Sequence, residues 1–113
     1  MANTEEHGGV SIEILHIDDC PNWAEAGDRV REAVRSLRDD NGIEISFRLL
    51  SSPEDAMQVR FAGSPTILLN GEDLFPGGEP TSELACRVYA TPTGLAGLPT
   101  TEQIIDAVAS RER

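Results

Sequence analysis

The sequence predicts one α/β domain with a mixed sheet, in the order β-α-β-α-β-β-α, with an irregular insertion before the last helix. Three observations predict it: short runs rich in Ile, Leu and Val, intervening stretches with helical spacing, and an Asn70-Gly71 pair between two short apolar runs. A chain of 113 residues can bury one core but not two. We therefore expect a single domain over residues 10–113, preceded by a disordered polar lead-in over residues 1–9.

The first half of the chain alternates strand and helix. Residues 10–17 are apolar on both parities, which is typical of a central strand covered on both faces. Pro21 stands at a favoured early helix position, and Asn41-Gly42 is expected to end that helix. Residues 43–49 alternate between apolar and polar and predict a second strand. The apolar stripe of the helix is Trp23, Ala26, Val30, Ala33, Val34 and Leu37.

The second half begins with a capped helix and a hairpin. Ser52 followed by Pro53 predicts the start of a short helix, which should end near residues 61–63. Pro65 then opens a third strand over residues 66–69. Asn70-Gly71 predicts a tight turn into a fourth strand near residues 72–75.

The last stretch before the final helix has no clear period. Residues 76–100 are rich in Gly, Pro and Thr, yet they should be ordered because several apolar side chains need cover. Thr100 or Thr101 caps the last helix, and Thr100 with Gln103 fits a capping box. Two crossover helices predict that the first three strands are parallel neighbours. The apolar side chains in question are Leu84, Cys86, Val88, Tyr89, Leu95 and Leu98.

Charge and composition exclude several classes of partner. Nine basic residues, all Arg, stand against twenty acidic ones, for a formal charge of −11. We therefore expect no nucleic-acid partner and no anionic membrane partner. No segment approaches the roughly twenty apolar residues of a membrane span, and the lead-in lacks the apolar region of a signal peptide. With only two cysteines, a reducing cytoplasm is the expected location, and no cofactor is expected.

Cys20 is the first candidate functional residue. It follows the first strand and precedes the first helix, where the helix dipole stabilises a thiolate. Asp18 and Asp19 act in the opposite sense, because neighbouring negative charges disfavour the anion. A functional thiol and a small residue near the helix cap are both compatible with this position.

Cys86 is the second candidate, and it lies in an apolar stretch. A cysteine in such a stretch is more often a buried small hydrophobe than a nucleophile. Pairing with Cys20 would allow a disulfide or a two-thiolate mercury site, provided that the Cα atoms come within about 7 Å. His16 is expected to be a hydrogen-bonded histidine at a strand end, and Trp23 is expected to pack on the apolar stripe.

These features together resemble the thioredoxin-like superfamily. The resemblance is carried by Cys20-Pro21 at the strand–helix junction and by Gly63-Ser64-Pro65-Thr66, which is followed by an apolar strand and the hairpin turn. Within the superfamily, the chain is similar to small bacterial proteins with a later Cys-Arg-x-Tyr, here residues 86–89, which are sometimes labelled alkylmercury lyase-like. The resemblance implies a cis bond before Pro65, close to Cys20.

The resemblance also implies roles for individual residues. Cys20 and Cys86 are the expected catalytic pair, whereas Trp23, Ser64 and Pro65 would bind substrate. The N–H and C=O of Ser64 would be free to pair with an extended peptide. The expected partner is accordingly a small thiol or a peptide.

One departure from the superfamily limits the expected function. Cys20-Pro21-Asn22-Trp23 has Trp where a dithiol oxidoreductase has its second cysteine, which excludes dithiol exchange by the usual route. The first expectation is therefore a thiol-containing binding or accessory protein. The alternatives are a monothiol oxidoreductase, a two-thiol oxidoreductase in which Cys86 resolves, or a mercury-handling protein that adds Asp18 or Asp19 to the two thiols. A purely structural domain that forms a homodimer through its sheet edge is the last alternative.

Overall fold

A computed structural model describes residues 10–18, 20–37, 43–76 and 79–111 of the chain. The expected lead-in over residues 1–9 and the expected helix end at Asn41-Gly42 lie outside the described residues. The elements in chain order are β1 Val10–His16, α1 Trp23–Leu37, β2 Ile43–Leu49, α2 Pro53–Met57, β3 Thr66–Leu69, β4 Glu72–Asp73, β5 Tyr89–Thr91, β6 Gly94–Ala96 and α3 Thr101–Arg111.

The main sheet is mixed and has the order β2-β1-β3-β4. β1 and β2 are parallel, but β3 runs antiparallel to β1, so the expectation of three parallel strands is wrong. The expectation required a crossover helix between β2 and β3, but α2 has only five residues. β3 instead begins beside the end of β1, where Thr66 pairs with Leu15, and runs back along β1.

β1 lies inside the sheet and separates two apolar clusters. Ile12 and Ile14 face the larger cluster, which α1 and α3 cover. Leu15 and Ile17 face the smaller cluster, which also contains Cys20. This division follows from the strand period of two, and it confirms the sequence interpretation of a strand buried on both faces.

The local signals for α2 and α3 are confirmed, whereas Pro21 lies two positions before the first residue of α1 and not within that helix, as had been expected. The Ser52 hydroxyl accepts a hydrogen bond from the Asp55 N–H at 3.1 Å, and Pro53 is the first residue of α2. Thr100 and Gln103 form a reciprocal capping box, with hydrogen bonds of 3.0 and 2.9 Å. α2 nevertheless ends at Met57, several residues earlier than expected.

The stretch before α3 contains a second, two-stranded sheet that the sequence interpretation missed. β5 and β6 pair antiparallel around a turn that ends at Gly94, whose φ is +122°. Each strand has three residues, which is too short for a detectable period. Tyr89 and Leu98 are buried as expected, but Val88 and Leu95 are 62% and 77% exposed, so the expectation that they need cover is wrong.

Within the described residues, no helix combines the length and the apolar character that crossing a membrane requires.

Candidate disulfide site at the sheet edge

Cys20 and Cys86, which are 66 positions apart in sequence, form a disulfide with their Cα atoms 6.0 Å apart. Cys20 stands just beyond the end of β1, where its N–H donates to the Ile17 carbonyl at 3.4 Å. It is fully buried in the smaller cluster. Cys86 is exposed, so the expectation of a buried small hydrophobe is wrong at that position.

The segment that carries Cys86, residues 85–89, is called the Cys86 segment. Its backbone pairs with that of residues 63–65, the proline loop. The Ser64 N–H donates to the Ala85 carbonyl at 2.9 Å, and the Arg87 N–H donates to the Ser64 carbonyl at 2.8 Å. The expectation that these Ser64 groups are free for a peptide is therefore wrong, because the chain's own residues 85–87 occupy them. The Ser64-Pro65 bond is cis, as expected.

Ser64 also connects the proline loop to β1. Its buried hydroxyl oxygen accepts a hydrogen bond from the Ile17 N–H at 3.2 Å. Ser64 thus contacts the end of β1 through its side chain and the Cys86 segment through its backbone. Cys20, Cys86, Ser64 and Pro65, four of the five expected site residues, therefore meet at one edge of the sheet.

Gly63 allows the close approach of the two segments. Its φ is +104°, a conformation that residues with a Cβ adopt at a cost. A Cβ at this position would lie 2.7 Å from the Cβ of Arg87 and 3.0 Å from its Cα. Backbone conformation and space both favour glycine here.

Arg87 anchors the Cys86 segment to β4. Its guanidinium donates to the Asp73 carboxylate at 2.9 Å and to the Phe75 carbonyl at 2.6 Å. The side chains of Arg87 and Asp73 are only 8% and 17% exposed, so this pair is shielded from solvent.

Tyr89 anchors the same segment to the proline loop. Its hydroxyl donates a hydrogen bond to the Pro65 carbonyl, and the Arg87 guanidinium lies 4.7 Å from the centre of its ring. Burial raises the pKa of Tyr89, so the hydroxyl remains a donor well into the alkaline range.

The anchoring roles of Arg87, Tyr89 and Asp73 were not identified from the sequence. The sequence offered no signal for them, because the structure exposes Cys86 and Val88 and buries Arg87 and Tyr89, the reverse of what the polarity of Val88 and Arg87 suggests. A buried arginine needs an acidic partner, but only the tertiary structure shows that this partner is Asp73.

Trp23 also lies at the end of β1, but its observed contacts are with His16 and Phe47. Its indole stacks on His16 with ring centres 4.7 Å apart, and Phe47 meets it edge-on at 5.5 Å. Packing is therefore the observed role of Trp23. His16 is buried, but its Nδ1 has no hydrogen-bond partner among the described residues, and burial lowers its pKa.

Asp18 and Asp19 were the carboxylates expected to join the two thiols in a mercury site. Asp18 is exposed to solvent, and Asp19 lies outside the described residues. In the part of the chain that the structure describes, no three His, Cys, Asp or Glu side chains converge as metal ligands.

An open groove of about 520 Å³ begins beside Cys86. Phe75, Val88 and Tyr89 line it together with Gln103. The groove therefore gives small molecules access to Cys86, the exposed residue of the pair.

No protein-family model, no curated protein and no solved structure matches this chain.

Proposed function

We propose that this chain is a thioredoxin-like domain that performs thiol–disulfide exchange with Cys20 and Cys86 as its redox pair. The observation that carries the proposal is the disulfide between these two residues at the edge where β1 ends. The position of Cys20 after β1 and of Pro65 before β3 supports the thioredoxin-like assignment. Cys86 supplies the second thiol that Trp23 replaces in the usual motif.

The reaction transfers two electrons. In the reduced chain, one cysteine thiolate attacks a disulfide R–S–S–R′, forms a mixed disulfide and releases R′S⁻. The other cysteine thiolate then attacks the chain's own sulfur in that mixed disulfide. The Cys20–Cys86 bond forms, RS⁻ is released, and the two cysteine protons pass to the released thiolates. Two glutathione molecules return the electrons and become glutathione disulfide.

The exposure of Cys86 and the expected cytoplasmic location favour a redox pair over a structural disulfide. Cys86 is exposed and next to an open groove, so reductants can reach the bond. In the reducing cytoplasm that the composition favours, disulfides are usually transient and catalytic or redox-sensing. A purely structural bond would instead be expected in an oxidising compartment.

A peptide-binding role fits only the reduced chain. In the oxidised chain, Ala85 and Arg87 already satisfy the backbone groups of Ser64. Reduction removes the covalent link to Cys20, but the hydrogen bonds of Arg87 and Tyr89 still hold the segment. Peptide binding at Ser64 would therefore require both reduction and displacement of this segment.

A redox titration tests the proposal. The natural chain is equilibrated in glutathione buffers, alkylated and weighed by mass spectrometry. We expect a midpoint between about −180 and −270 mV, the range of disulfide-exchange proteins. A midpoint below about −300 mV, which is typical of structural disulfides, would contradict the proposal.

A turnover assay with matched variants completes the test. The natural chain should reduce a small disulfide with glutathione as electron donor, and Cys20→Ser and Cys86→Ser should each lose turnover. Ala85→Ser is the control, because it adds a hydroxyl to the same exposed segment while both thiols remain. Turnover that survives the loss of Cys86 would instead support a monothiol route.

The reduced cysteine pair could also bind a mercuric ion. Two reduced thiols at this spacing offer the soft ligands that Hg²⁺ prefers. If the chain shows no turnover but binds Hg²⁺ with one ion per molecule, and Cys86→Ser abolishes that binding, the mercury-handling interpretation replaces the redox one.

A further inference from the structure

The two halves of the disulfide lie in different surroundings. Cys20 has 0% of its surface exposed and packs in the smaller apolar cluster with Leu15, Phe61 and Leu68. Cys86 is exposed, on a segment that lies outside the main sheet. Molecules in solution therefore approach the bond from the side of Cys86.

We propose that Cys86 is the cysteine that exchanges with external thiols and disulfides, and that Cys20 is the resolving cysteine. This assignment rests on the proposed redox function and divides the two roles within it. It reverses the order suggested by the sequence, in which Cys20 attacks and Cys86 resolves.

Access decides the assignment, because exchange proceeds by attack of a thiolate on a reachable sulfur. The groove beside Cys86 gives an incoming thiol room to approach the outer end of the bond. An attack on Cys20 would have to pass through packed side chains, including Phe61, which is also 0% exposed. Protein interiors are packed too tightly to admit a molecule of the size of glutathione.

The exchange step in this direction is balanced. A glutathione thiolate forms a new bond with the Cys86 sulfur while the Cys20–Cys86 bond breaks, and the electron pair departs on the Cys20 sulfur. That sulfur takes up the proton that the glutathione thiol released, because burial in an apolar cluster disfavours a thiolate. A second glutathione then attacks the mixed disulfide, releases glutathione disulfide and leaves Cys86 reduced.

Peptide mapping of the natural chain tests the assignment. The chain has Arg but no Lys, so trypsin places Cys20 in the peptide of residues 1–29 and Cys86 in that of residues 61–87. The oxidised chain is treated briefly with glutathione, quenched with N-ethylmaleimide and digested. We expect at least a tenfold excess of glutathione on the peptide of Cys86, with the maleimide on that of Cys20. Glutathione mainly on Cys20, or divided equally, would overturn the assignment.

Single variants provide a second measurement, which decides the matter if the intermediate of the natural chain is too short-lived. Reduced Cys20→Ser should accumulate a stable adduct with glutathione disulfide, because it has no resolving thiol. Folded Cys86→Ser should react at least tenfold more slowly, since its remaining thiol is buried. Equal rates would overturn the assignment, as would a Cys20→Ser variant that forms no adduct.

The two proposals fail in different ways. Adducts on Cys20 in a chain that still turns over would overturn the assignment of roles and leave the redox function standing. A chain without turnover, whose midpoint lies in the structural range, would overturn the redox function itself.

Discussion

At the scale of single residues, the site depends on how closely two backbone segments approach. Gly63 lies against Arg87, and Ser64 pairs on both sides of Cys86. The disulfide joins the Cys86 segment to a third segment, the one that follows β1, through Cys20. Small changes at the contact between Gly63 and Arg87 should therefore alter both stability and the chemistry of the disulfide.

Gly63→Ala is the sharpest test of this contact. The added methyl would lie 2.7 Å from the Cβ of Arg87, in a backbone conformation with φ of +104°. We expect a loss of about 2–4 kcal/mol in the free energy of unfolding, from roughly 1 kcal/mol of backbone strain and 1–3 kcal/mol of overpacking. Urea unfolding of the oxidised chain measures it.

Gly71→Ala is the matched control for that variant. Gly71 also has a positive φ, +88°, but a Cβ there meets no atom within 4 Å. It should therefore lose only about 1 kcal/mol, the strain contribution alone. Equal losses for the two variants would show that the contact with Arg87 does not constrain the fold.

At the scale of elements, the Cys86 segment is held against β4 by a shielded ion pair. Arg87 joins this segment to Asp73 of β4 and to the carbonyl of Phe75. Tyr89 joins the start of β5 to the proline loop. The segment is thus held by side chains on both sides of the exposed Val88, independently of the disulfide.

Arg87→Met should cost about 1.5–3 kcal/mol of unfolding free energy, since it leaves the mostly buried Asp73 carboxylate without its hydrogen-bonded partner. Urea unfolding in a double-mutant cycle with Asp73→Asn should give a coupling energy of at least about 0.5 kcal/mol. A coupling energy near zero would contradict the anchoring role.

Arg48 forms an ion pair of nearly the same length as that between Arg87 and Asp73. Its bond to Glu13 is 2.8 Å long, but the Arg48 side chain is 52% exposed. Arg48→Met should therefore change the unfolding free energy by less than about 1 kcal/mol. Comparing the unfolding free energies of the two variants separates the effect of burial on an ion pair from the effect of its length.

At the scale of the whole molecule, the disulfide closes a loop that includes most of the sheet. Its two cysteines are 66 positions apart, and β2, α2, β3 and β4 lie between them. A cross-link of this span restricts the unfolded chain far more than a local contact does. The redox state of one bond should therefore determine much of the stability of the domain.

Reduction should lower the free energy of unfolding by up to about 4 kcal/mol, the loop-closure entropy for a loop of this length. Chemical denaturation with and without a reductant measures the difference. The double variant Cys20→Ser/Cys86→Ser is the control, and its unfolding should not respond to reductant. A natural chain that unfolds identically in both conditions would contradict the prediction.

Local chemistry made most of the elements predictable from the sequence. The cap at Ser52, the capping box of Thr100 and Gln103, and the bounds of β2 and β3 were all identified correctly, because each depends on residues within a few positions of one another. The strand signal failed for β5 and β6, where three residues are too few to show a period.

The sequence by itself determined the mixed α/β composition, the buried central strand and the two cysteines that could react. Only the tertiary structure decided the antiparallel direction of β3, the partners of Ser64 and the pairing of Cys20 with Cys86. The physical reason is sequence separation. Propensity, capping and periodicity act over one or two turns, whereas these pairings join segments that are distant in sequence, as the 66 positions from Cys20 to Cys86 show.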